Sequence, residues 1–169
     1  MNFDEIKTLA ANWYIPRMDE RRTNFSRLVQ AKLAEFAARG TAHSPPAYGA
    51  VEKLAFQEVE RLGRMMPEGY QQALSAKSGV VEPPIVLGIK RDLKATLESE
   101  AVRIYAAIQY VREACKPASV TSAEDLPIRA LQKLNADIDL LCAKLNTGRG
   151  FADARPKVDL CYIHKLRRL

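Results

Sequence analysis

Two runs of apolar residues at helical spacing constrain this chain more than any other feature. Leu93, Leu97, Ala101, Ile104, Ile108, Val111 and Cys115 step by 4, 4, 3, 4, 3 and 4 residues. That rhythm holds them on one stripe of an α-helix, whereas a strand, with a side-chain period of 2, would scatter them over both faces. Leu131, Leu134, Ile138, Leu141 and Leu145 repeat the pattern with steps of 3, 4, 3 and 4. Each stripe needs a neighbour to bury it. A helix from Ile85 to Cys115 would run about 45 Å at 1.5 Å per residue. Lys116-Pro117 ends it, Ser122 or Asp125 can cap the next, and Pro127 fits that next helix only in its first turn. The two stripes therefore predict an antiparallel α-hairpin at a shallow crossing angle.

Helical spacing also dominates upstream. Phe3, Ile6, Ala10 and Trp13 form one stripe, with Asn2 as its cap, and Pro16 is expected to stop or kink that helix near Ile15. A second stripe, Phe25, Leu28, Val29, Leu33 and Phe36, ends at Gly40. Thr41 to Gly49 reads as a loop broken by Pro45-Pro46. Val51, Leu54, Ala55, Val59, Leu62 and Met66 share a third register, and Pro67 is placed to open a new short helix. Ser78 to Pro84 reads as extended, a hinge between two halves. The expectation is an all-α, multi-helix bundle: an N-terminal helical subdomain over 1–77, a long C-terminal antiparallel α-hairpin over 85–146, and a linker with a basic tail over 147–169. Within the tail, residues 157–169 suit either a short helix or a strand. Helix is preferred, because nothing else in the chain offers a sheet.

Composition narrows the class. The chain has 169 residues, 47 % hydrophobic and 27 % charged, which places it among globular proteins rather than disordered or fibrous ones. No apolar run approaches the roughly 18 residues of a membrane span. Met1 to Thr8 carries Asp4 and Glu5 without a basic region leading into an apolar stretch, so a cytoplasmic protein is expected. Cys115, Cys142 and Cys161 are odd in number and widely spaced, which favours reduced thiols. Cys161 and His164 have metal-like spacing, but zinc needs four ligands and no second pair exists. Neither a metal nor a cofactor is expected.

Signs of catalysis are sparse. His43 and His164 are the two histidines, and no nucleophile elbow, zinc-protease motif or phosphate-binding glycine loop accompanies them. Glu98, Glu100, Asp137 and Asp139 read as the wet faces of the hairpin. A non-enzymatic role is the expectation, with an enzyme left open should a carboxylate stand near His43 or His164 in a polar pocket. Val102, Tyr105 and Tyr110 lie off the main stripe, so the long helix offers apolar surface to more than one neighbour. A protein-interaction or regulatory module, binding a protein partner or self-associating through that helix, is the primary expectation.

Charge supplies the alternative. The net charge is +6, and the last nineteen residues hold five basic side chains against two acidic, or +3 of it. Arg155, Lys157, Lys165, Arg167 and Arg168 in the tail, with Lys90, Arg91 and Lys94 on the long helix, could follow a phosphate backbone. Arg17, Arg21 and Arg22 add a further cluster. Pro84-x-x-x-Gly88-Ile89-x-x-Asp92-Leu93, followed by Ala101-Val102-Arg103-Ile104-Tyr105, resembles RNA chaperones of the FinO and ProQ type, with a shorter separation between the two elements. That resemblance adds to the alternative expectation, a helical protein that binds nucleic acid, RNA or DNA, through these basic clusters and the basic tail.

Overall fold

The computed structural model describes residues 2–75, 81–115 and 125–147. Five α-helices account for nearly all of them: α1 Phe3–Ala38, α2 Pro45–Leu74, α3 Pro83–Ala107, α4 Gln109–Cys115 and α5 Asp125–Asn146. No strand occurs among the described residues, so the fold is all-α. No helix is long and apolar enough to cross a membrane.

Capping explains where the helices start. Asn2 Oδ1 accepts the Glu5 backbone N–H at 2.9 Å, and Glu5 Oε2 accepts the Asn2 backbone N–H at 2.9 Å, a reciprocal box that satisfies two end donors of α1. Gly40, at φ +70°, ends α1 in the left-handed region that a glycine enters without strain. Ser44 then caps α2 by accepting the Ala47 N–H, which puts Pro45 and Pro46 in the first turn, where a missing donor costs nothing. The expected loop over 41–49 is therefore confined to its first few residues. Pro83 and Pro84 open α3 in the same way, so the extended reading over 78–84 fails at those two residues. Residues 76–80 lie outside the described residues.

Pro16 was expected to stop or kink the first helix and Pro67 to open a new one; instead α1 and α2 each continue through their proline. An interior proline frees one carbonyl and costs about 3 kcal/mol. Pro16 faces solvent, where water can satisfy the freed carbonyl, while Tyr14 and Met18 on either side are buried. At Pro67 the fully buried neighbours Met66 and Tyr70 hold the helix line. Tertiary packing outweighs the local penalty. The reverse happens farther on. The helix expected to run unbroken from 85 to 115 ends at Ala107. Ile108 (φ −106°, ψ 2°) donates its N–H to the Tyr105 carbonyl, tightening the last turn before α4. The apolar stripe crosses the break intact, with Ile108, Val111 and Cys115 all buried.

One continuous apolar core joins the helices, with Ile6 and Phe25 from α1, Met66 and Tyr70 from α2, Leu93 and Ile104 from α3, and Ile138 and Leu145 from α5. Two glycines allow close approach. A Cβ on Gly69 would sit 3.1 Å from the Ala10 carbonyl oxygen, so α1 and α2 pack nearly backbone to backbone there. A Cβ on Gly63 would sit 2.4 Å from Leu134 Cδ2, so Gly63 is the notch in α2 that receives a leucine of α5. Contacts fix the directions. Residues 10–14 of α1 meet Gly69 and Arg21 meets Glu58, which makes α1 and α2 antiparallel. Phe3 lies on Gly88, Lys7 on Asp92 and Gln30 on Tyr110, so α1 runs in the same direction as α3 and α4.

Candidate functional site

Polar side chains in the body of the bundle are tied to one another. Glu58, 2 % exposed on α2, accepts both arms of Arg21 at 2.6 Å, and Arg61 adds a longer contact at 3.6 Å. Glu100, on α3, accepts Arg22 Nη2 at 2.5 Å and Arg103 Nε at 2.8 Å. Burial pushes the Glu100 carboxyl up, but the hydrogen bonds from Arg22 and Arg103 outweigh it and hold the group below its ordinary value. Asp92 accepts the Tyr70 hydroxyl and pairs with Lys7 at 2.6 Å, joining α3 to α2 and α1. Burial and that hydrogen bond together push the Tyr70 phenol far above its ordinary range, so it stays a neutral donor. Among the described residues, no buried side-chain nitrogen or oxygen lacks a partner, and no three His, Cys, Asp or Glu side chains are placed to hold a metal.

The cations named from the sequence divide accordingly. Arg21 and Arg22 are bound to buried carboxylates, and Arg17 lies 4.0 Å over the Trp13 ring. Lys90 and Lys94 both reach Asp139 of α5, at 2.9 and 3.2 Å. Arg91 is exposed. Arg155, Lys157, Lys165, Arg167 and Arg168 lie outside the described residues, as do Cys161 and His164. Three of the four carboxylates read as wet faces behave as expected or have a surface partner. Glu100 does not: it is buried because two arginines neutralise it.

Of the three apolar residues read off the main stripe, Val102 and Tyr110 are exposed at 55 % and 48 %. Tyr105 is a correction. It is 7 % exposed, and burial pushes its phenol up to about 12, so it belongs to the core and presents no free face. Helical position alone separated it from the seam; α2 covers that side, with Tyr48 and Glu52 near enough to act on its charge.

Tyr110 leads to a concave apolar surface. The C-terminal part of α1, the turn at 41–43 and α4 enclose a groove of about 290 Å³. Leu33, Ala34 and Ala37 line it from α1, and Val111, Ala114 and Cys115 from α4. Gln30 Nε2 donates to the Tyr110 hydroxyl at 3.3 Å at one edge, and His43 stands at another. No Lys, Arg, Asp or Glu lines it, in a chain of which 27 % is charged. The Cys115 thiol donates to the Ala42 carbonyl at 3.8 Å, and burial pushes its pKa up, which disfavours the nucleophilic thiolate. Sequence reasoning reached Tyr110 but missed Ala34, Ala37 and Ala114, because alanines at helical spacing look the same whether they face a neighbour or a gap.

Compared with protein-family models, with curated proteins and with solved structures, the chain matches none. The short resemblance to FinO- and ProQ-type chaperones gains no support from this, and its residues have structural duties here. Gly88 lies under the Phe3 ring, Asp92 holds Tyr70 and Lys7, and Ile104 is in the core.

Proposed function

We propose that this chain is a non-catalytic helical interaction module that takes an apolar segment of a protein partner, or of a second copy of itself, into the groove between α1 and α4. The observation that carries the reading is the groove's lining, without Lys, Arg, Asp or Glu, beside the half-exposed Tyr110. Interface cores are depleted in charged residues and enriched in aromatic ones, and buried aromatic or aliphatic anchors supply most of the binding energy. At about 290 Å³ the groove is at the small end of ligand pockets, which run roughly 300–1,000 Å³, and it has room for one or two apolar side chains. In this reading α3 and α5 form an antiparallel hairpin that serves as scaffold. The pairing of Lys90 and Lys94, early in α3, with Asp139, late in α5, supports that arrangement. Of the named basic residues, four are committed to carboxylates within the fold, which leaves less charge for a polyanion.

The test is to fill the groove. Ala114→Phe should abolish self-association in light scattering, or recovery of a defined partner in affinity capture, while the circular dichroism spectrum stays unchanged. Retention of all binding by the folded variant would overturn the reading. Salt-sensitive retention on heparin, lost in Arg167→Ala/Arg168→Ala and not in Ala114→Phe, would favour the nucleic-acid alternative instead.

A further inference from the structure

We draw no further inference here: the strongest candidate, the apolar groove between α1 and α4, belongs to the site already described, and nothing in the structure shows what covers it.

Discussion

The body of the bundle and its α4 end solve the same problem differently. Along residues 6–25 of α1 the apolar side chains are interlocked with α2 and α3, and the buried charges come in matched sets, Arg21 with Glu58 and Arg22 and Arg103 with Glu100. Where α1 passes α4, small residues, Ala34, Ala37 and Ala114, stand among the facing side chains, leaving a gap between Leu33 and Val111 that the chain's described residues do not fill. The body specifies one arrangement. Among the described residues, the α4 end leaves apolar surface uncovered beside the half-exposed Tyr110, which is the feature the proposed interaction role rests on.

The contrast predicts that substitutions sort by region. The largest effect belongs to the centre of the body. Leu93→Ala removes a fully buried side chain of α3 and should cost about 3 kcal/mol, read as a lower midpoint in urea denaturation. An unchanged midpoint would mean that α3 is not seated as described.

Next comes the ionic pairing. Arg21→Ala strands Glu58 in the core with only the longer Arg61 contact, and should destabilise by about 2–3 kcal/mol. Arg21→Ala combined with Glu58→Leu should recover much of that loss, since no buried charge is then left alone. Failure of the double variant to recover would show that the pair does more than neutralise itself.

Acid gives a gentler probe of the neighbouring site. The folded Glu100 carboxyl sits below its unfolded value, about 4.3, so its contribution is fully present above that pH. It is lost as pH falls through the lower, folded value. Stability should therefore drop on acidification below about pH 4.3, and Glu100→Gln should make that drop shallower by roughly the share of one carboxylate. Ala114→Phe, at the other end, should change stability least, by about 0.5 kcal/mol from helix propensity, while changing binding most.

Sequence patterning disclosed the helices but not all of their boundaries. The stripes through Leu93 to Cys115 and Leu131 to Leu145 are legible because burial selects the residue type, and the buried set includes most of them. Pro16 and Pro67 misled because their local penalty is opposed by side chains distant in sequence, which no local rule weighs. Pro45 and Pro83 misled in the opposite sense, since a proline starts a helix as readily as it stops one. The break at Ile108 has no glycine or proline to announce it. Arg21 and Arg22 looked like a patch because their partners, Glu58 and Glu100, lie 37 and 78 residues away. The groove itself was invisible, because it is a property of the distance between two helices and not of any residue in them.

The most direct test of the contrast uses a photo-crosslinking amino acid at Ala34, in the groove, and at Glu98, on the exposed side of α3. Irradiation would be done in extract of the cells that make the protein, and at increasing concentrations of the purified chain. The account predicts a discrete adduct, with one protein or with a second copy, from position 34 and not from position 98. Equal labelling from both positions, or adducts from 98 alone, would contradict it.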